Sequence, residues 1–382
     1  MLKNLLVIAA LTALTVSVQA AKTIYVNHPA FGLSPYTWHL SQSFGTPSAE
    51  APNPGAYFKT TVSGTSTIKV KIDGSCNEGY PDKINVFTEY SVDGAPFEVK
   101  QLERIFEPYD ITLAEGLDPA VDHTVQFYFK SGDIMRWESH TPHLRIKGLV
   151  VDNGASLKVY PKRSKTVLAF GDSITEGVGA ESTFTTWNDV SGCNARVTWL
   201  PVVCDALDCE YGQVGSGGEG MWQPQMPIPP LYKSWKYLWK DVSRLKDGKL
   251  VPEPDYIFCN MGTNDYQLPM ENHSYDVDIY TPYMSWLKQV RAAAPKAKIF
   301  CIVPPCGEHL ENITRVVKDF NDKNTYLINV PNVADRITVH DWHLTTLTYD
   351  GVHPTVHGHA ILGASIAVQI QKALDGKQKG TK

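Results

Sequence analysis

The sequence predicts an all-β jelly-roll sandwich followed by a flavodoxin-like α/β/α domain with a parallel sheet, and three observations carry that prediction. The chain has 382 residues, more than one hydrophobic core usually organises, so two domains are expected. Its texture changes near residue 160: short alternating runs dominate before it, and apolar strands alternate with helical patterns after it. The polar residues suited to chemistry then collect just after predicted strands of the second half, where the carboxyl ends of a parallel sheet gather functional groups.

The chain opens with a single cation, Lys3, an apolar run from Leu5 to about Val18, and small residues flanking a cut after Ala20. Residues 1–20 therefore read as a secretory signal peptide, which predicts a secreted or periplasmic protein. Thr12, Thr15 and Ser17 make the run a poor membrane anchor, and no later segment is apolar enough to span a bilayer. Loss of Lys3 with the leader takes the net charge from -5 to -6. That charge is mild, and without a basic stripe it points away from nucleic acid. The 7 cysteines allow disulfides but leave at least one unpaired. Cys204 with Cys209, Cys193 with either, and Cys301 with Cys306 are local candidates. No cysteine spacing suits zinc, and neither a metal nor a cofactor is expected.

Residues 21–160 carry the β signal. Ile68, Val70 and Ile72 share one strand face, as do Val86, Thr88, Tyr90 and Val92; Val125, Phe127 and Phe129; and Leu144 with Ile146. Asp73-Gly74, Asp93-Gly94 and Ser131-Gly132 supply turns between them. No amphipathic helix stands out in this half. Tyr36, Trp38 and Trp137 have the chemistry to stack on sugar rings, although single aromatics of this kind usually serve a core. A basic, proline-containing connector from Ser156 to Lys165 separates this region from residues 161–375.

The second region begins with an apolar strand from Val167 to Phe170 that stops at Gly171-Asp172-Ser173 and feeds a helix. A helix is expected from Thr198 to Leu207, a strand from Glu210 to Val214, then the glycine cluster from Gly215 to Gly220. Trp235 to Leu245 reads as helical, Asp255 to Asn260 as a strand and Asp276 to Ala294 as a helix. Lys298 to Val303 and Tyr326 to Val330 read as strands flanking a helix from Glu311 to Lys323. A last helix spans about Thr355 to Leu374, before a lysine-rich tail at 376–382 that should be solvated.

Three short motifs punctuate this pattern: Gly171-Asp172-Ser173, Gly262-Thr263-Asn264-Asp265 and Asp350-Gly351-Val352-His353. With the glycine cluster between the first two, they resemble in order and spacing the successive sequence blocks of the SGNH (GDSL-type) hydrolases. The resemblance covers residues 165 to 375. Serine hydroxyl is a weak nucleophile at neutral pH and needs a base; His353 is the candidate, since an imidazole can take up and return a proton near neutrality. Asp350, three residues earlier, suits a turn that brings its carboxylate to the other ring nitrogen. The tetrahedral intermediate needs donors, and the Ser173 N–H, a glycine N–H and the Asn264 side chain are available. The resemblance implies Gly218 for that glycine, with Gly217 open as the alternative because consecutive glycines blur the register. Losing one such donor typically removes ~3 kcal/mol of transition-state stabilisation. Asp172 and Asp265 are expected to organise turns by hydrogen bonds to backbone. His357 and His359 raise a metal reading, but no carboxylate or cysteine cluster completes a site.

A β-sandwich ahead of an SGNH domain is similar to the deacetylases of carbohydrate esterase family two. That resemblance implies a secreted serine esterase removing O-acetyl groups from a xylan- or mannan-type polysaccharide or oligosaccharide, without a cofactor. Some members of that group lack the aspartate, so Asp350 suggests a full triad here. Trp222, on the proline-rich run Met221 to Pro230 beside the glycine cluster, is placed to stack on a sugar or close the acyl pocket, with core packing as the alternative. Trp187 is a second such candidate. A lipid or aryl esterase of the same fold and a noncatalytic carbohydrate-binding protein are the rival readings. Asn272-His273-Ser274 and Asn312-Ile313-Thr314 are glycosylation acceptors only in a eukaryotic host.

Overall fold

The computed structural model describes residues 20–138, 142–182, 189–265, 277–305, 307–330, 347–348 and 350–376. The leader, Trp187, Asn272, Cys306 and the tail beyond residue 376 lie outside the described residues. The alternating runs of the first half form two antiparallel sheets. One runs in the order His39–Ser43, Thr46–Ala51, Leu144–Asp152, Thr67–Ile72, Tyr109–Glu115, with Ala21–Tyr25 added on Leu144–Asp152. The other runs Ser156–Lys158, Tyr57–Ser63, Asp122–Ser131, Phe87–Val92, Glu98–Gln101, with Gly32–Leu33 on Tyr57–Ser63. Strands remote in sequence lie side by side, as in a jelly roll. The period-2 pattern sets the register: Phe127 lies opposite Phe58 and Val125 opposite Val92. Ile68, Val70, Ile72, Ile146 and Leu149 from one sheet meet Phe58, Val125, Phe127 and Phe129 from the other in a single core. Each such side chain contributes roughly 1.5–3 kcal/mol of burial.

The second half is a five-stranded parallel sheet. Its strands, in chain order, are β1 (Lys165–Gly171), β2 (Cys209–Gly215), β3 (Tyr256–Asn260), β4 (Lys298–Ile302) and β5 (Thr325–Ile328). They are arranged β2-β1-β3-β4-β5, the flavodoxin-like order. Helices α1 (Ser173–Glu176), α2 (Trp199–Ala206), α3 (Leu231–Ser234), α4 (Tyr280–Ala293), α5 (Leu310–Phe320) and α6 (Val356–Leu374) cover it. Each sheet face has its own core, one built with α2 and α6 and the other with α4 and α5. Such a sheet has its crevice where strand order reverses, at the carboxyl ends of β1 and β3.

The two halves share packed surface rather than hanging from a tether. Tyr57 and Tyr128 of the sandwich join the core of the parallel domain, and the Tyr57 and Tyr211 rings meet at 5.1 Å. The Tyr57 hydroxyl and Lys59 both reach Glu210 at the start of β2.

Two expectations are corrected. Trp235 to Leu245 is not a helix: after α3 the chain forms a hairpin of Tyr237–Trp239 with Val242–Ser243. Its helical spacing of apolar residues is overridden by docking against the sandwich, where Trp239 packs on His39 and His143, and Tyr237 on Trp137. The disulfide candidates among described residues also fail. Cys193, Cys204 and Cys209 are separate buried thiols, as are Cys76, Cys259 and Cys301. Burial pushes the Cys204 thiol well up and that of Cys209 to about 11. No described helix is long and apolar enough to cross a membrane.

Candidate active site

β1 ends at Gly171, and Asp172 rather than Ser173 takes the helix cap, its carboxylate accepting the Ile174 N–H at 3.0 Å. Ser173 is thereby the first helical residue, and its own N–H has no acceptor among the described residues. α1 is only one turn long before Gly177 adopts φ 82°, so its dipole contributes less than a full helix would. What it supplies is an orphan donor beside the serine hydroxyl. Burial pushes the Asp172 carboxyl up to about 7, against the Ile174 N–H, the Thr263 hydroxyl and the charge of His353.

The motif at 350–353 folds back on itself. Asp350 Oδ1 accepts the N–H groups of Val352 at 3.0 Å and His353 at 2.8 Å. This aims Oδ2 at His353 Nδ1, 2.6 Å away, while His353 Nε2 lies 2.8 Å from Ser173 Oγ. Burial raises the Asp350 carboxyl, but the His353 ring and the two backbone donors outweigh it and bring it down to about 2. An ionised Asp350 holds the hydrogen on Nδ1, which leaves the Nε2 lone pair to accept the serine proton.

The glycine cluster leaves β2 at Gly215, and its two candidate amides differ in their partners. The Gly217 N–H is committed to Glu176 Oε2 at 2.6 Å, whereas the Gly218 N–H has no acceptor among the described residues. Gly218 has φ +74°, and a Cβ there would come within 2.4 Å of Met226 Cγ, so no larger residue fits. Asn264 follows β3, and its side-chain amide donates to the Glu219 carbonyl at 3.0 Å, which leaves its second amide hydrogen for a ligand. The Ser173 and Gly218 N–H groups and one Asn264 amide hydrogen are thus without an acceptor among the described residues. Burial pushes the Glu219 carboxyl up to about 8 despite hydrogen bonds with Ser234 and Ser216 and the charge of Arg244.

Asp265 organises backbone as expected, but in a different loop. Its carboxylate accepts the N–H groups of Met221, Trp222 and Gln223 at 2.7–2.8 Å, which ties the proline-rich run to the end of β3. Gln225 adds a bond from its side chain to the Asn264 carbonyl at 2.9 Å. Trp222 is not a core residue: it is 48% exposed and stacks on Tyr232 at 5.9 Å. His357 is exposed. His359 is fully buried, with neither ring nitrogen partnered among the described residues.

Sequence reasoning allows the sandwich to form a wall of the cleft but does not identify which of its residues reach the glycine cluster. Arg136 and Asn53 both donate to the carbonyl of Gly215, at 2.9 and 3.1 Å. The Ile134 side chain lies 3.0 Å from where a Gly217 Cβ would be. Nothing in local pattern marks these residues, because they belong to loops whose partners lie far along the chain. Glu176 is the one signal, a second acid, after Asp172, in a motif otherwise made of apolar and small residues.

The family model of the GDSL-like lipase/acylhydrolases matches residues 169–361, half of the chain. The chain belongs to this family. It is 24% identical over 283 residues to a cellulase/esterase of Acetivibrio thermocellus, covering 69% of the chain but 31% of that protein. It is 23% identical over 279 residues to an acetylxylan esterase/glucomannan deacetylase of Cellvibrio japonicus, covering 69% of the chain and 71% of that protein. A family two carbohydrate esterase from Cellvibrio japonicus shares its fold, with a TM-score of 0.73, 16% identity, and coverage of 94% of this chain and all of that one. The likeness extends over both halves of the molecule.

Proposed function

We propose that the protein is a secreted or periplasmic serine esterase that removes O-acetyl groups from a carbohydrate of the xylan or mannan type. The relay from Asp350 Oδ2 through His353 to Ser173 Oγ, at 2.6 and 2.8 Å, carries the reading. Ser173 Oγ attacks the acetyl carbonyl carbon while its proton passes to His353 Nε2. The negative charge that develops on the carbonyl oxygen is met by the N–H groups of Ser173 and Gly218 and the Asn264 amide. Collapse of the intermediate breaks the bond to the sugar oxygen, which leaves with the proton from His353. Water, deprotonated by the same imidazole, then attacks the acetyl-serine and releases acetate. The exposed Trp222, tethered beside the glycine loop, offers a face for a sugar ring, and the relatives' carbohydrate substrates favour that class of leaving group.

Initial rates on aryl esters from acetate to octanoate, and acetate release from acetylated xylan and glucomannan, test the assignment. Acetate should be strongly preferred, and Ser173→Ala should lower kcat by roughly 10⁶-fold with an unchanged melting curve. Rates that climb with acyl length would turn the reading toward a lipid esterase, and normal turnover in Ser173→Ala would end the serine mechanism.

A further inference from the structure

Arg136 sits on the loop that follows the sandwich strand Asp122–Ser131, yet its guanidinium engages the other half of the molecule. Nη2 pairs with Glu176 Oε1 at 2.8 Å and donates to the Gly215 carbonyl at 2.9 Å, while Nη1 donates to the carbonyl of Asp133 at 2.7 Å. Arg136 is 4% exposed and Glu176 2%. A fully desolvated ion pair of this kind is retained only where its geometry is well satisfied. The second oxygen of Glu176 accepts the Gly217 N–H at 2.6 Å. One carboxylate therefore links the sandwich to the middle of the oxyanion loop, and the same arginine grips that loop where it leaves β2.

Both ends of this link are fixed. On the sandwich side the Arg136 carbonyl accepts from His143 Nε2 at 2.9 Å, and His143 is held by Glu50 at 2.6 Å. On the other side Gly215 lies so close to α1 that a Cβ there would come within 2.4 Å of the Glu176 nitrogen. Between them stands a run of glycines with little conformational preference of its own. Something outside the loop has to choose which amide faces the site.

We propose that Arg136 is a positioning residue for the oxyanion hole. It holds Glu176 as an ionised acceptor with two engaged oxygens, which pins the Gly217 N–H backward and leaves the Gly218 N–H turned toward the reacting carbonyl. The inference rests on the oxyanion role proposed for Gly218 above. It makes the sandwich a working part of the active site of this esterase, rather than an appended binding module.

Steady-state kinetics of the full chain on an aryl acetate test it. Arg136→Met should lower kcat by ~100-fold, the scale of one misplaced oxyanion donor, while KM stays within about threefold, the pattern of an interaction made only in the transition state. Arg136→Lys keeps the charge on Glu176 and should recover part of that loss. Glu176→Gln is the second variant, in case Arg136→Met does not fold. An amide has a single acceptor oxygen and cannot serve Arg136 and Gly217 together, so kcat should fall about tenfold with KM unchanged. A folded Arg136→Met or Glu176→Gln with wild-type kcat, or with its loss confined to KM, overturns the proposal. Ser173→Ala is measured alongside. If it stays active the serine reading fails, whereas an inactive Ser173→Ala beside wild-type kcat in both variants removes the role of Arg136 alone.

Discussion

Two histidines in this molecule look alike up to their last contact. His143, in the sandwich, has Nδ1 on the Glu50 carboxylate at 2.6 Å and Nε2 on the Arg136 carbonyl at 2.9 Å. His353 has Nδ1 on the Asp350 carboxylate at the same 2.6 Å and Nε2 on the Ser173 hydroxyl at 2.8 Å. The ring of His143 meets an acceptor on both sides, so each nitrogen needs a hydrogen unless Glu50 carries one. His353 meets an acceptor on one side and a donor on the other, which leaves a lone pair for chemistry. His123, between Asp93 and the carbonyl of Asp118, repeats the first pattern. A histidine–carboxylate pair is therefore a structural clamp or a base according to what its far nitrogen touches.

The comparison is sharpest when each histidine is removed. His353→Ala should lower kcat by ~10⁵–10⁶-fold with little change in melting. His143→Ala should act chiefly on stability, costing about 3–5 kcal/mol in a denaturant titration because Glu50 and the Arg136 carbonyl lose a buried partner, with a kcat loss no larger than that of Arg136→Met. Equal catalytic losses in the two variants would break the distinction. Next is the carboxylate: Asp350→Ala should reduce kcat by ~10³–10⁴-fold, whereas a loss below tenfold would mean that His353 works as half of a dyad.

A third test uses acid. Burial, helped by the charge of His353, brings the His359 imidazole down to about 3. Its folded pKa lies below the unfolded value, so the unfolded chain binds more protons between them. Stability from this group is complete above about pH 6.5 and falls as pH drops toward 3, by up to ~4 kcal/mol. His359→Leu should flatten that acid limb, as seen in melting temperature against pH; an unchanged slope would assign acid lability to other groups. The last test is at Asn264. Asn264→Ala removes one oxyanion donor and should lower kcat by ~10²–10³-fold with KM nearly constant, while a change confined to KM would place the amide on the sugar instead.

The fold was readable because both halves write their period into the chain. Alternation marks the sandwich at Ile68, Val70 and Ile72, and the strand-glycine-polar sequence marks the ends of β1 and β3. Trp235 to Leu245 misled because helical spacing is a local signal, while the contacts of Tyr237 and Trp239 with the sandwich are not. The cysteine candidates misled for a related reason: nearness in sequence does not bring side chains to bonding geometry.

Sequence alone picked out the candidate reactive set, because Ser173, Asn264, Asp350 and His353 stand in short motifs whose spacing is itself geometric. A carboxylate three residues before a histidine closes on it by a local turn, which no distant residue has to arrange. Tertiary structure decided everything that depends on a second segment of chain. It gave the Gly217 N–H to Glu176 and left the Gly218 N–H without an acceptor among the described residues, and it tied Trp222 to β3 through Asp265. It also brought Arg136 of the sandwich against the oxyanion loop. A run of glycines has no preference strong enough to orient its own amides, so that choice falls to partners that only folding supplies.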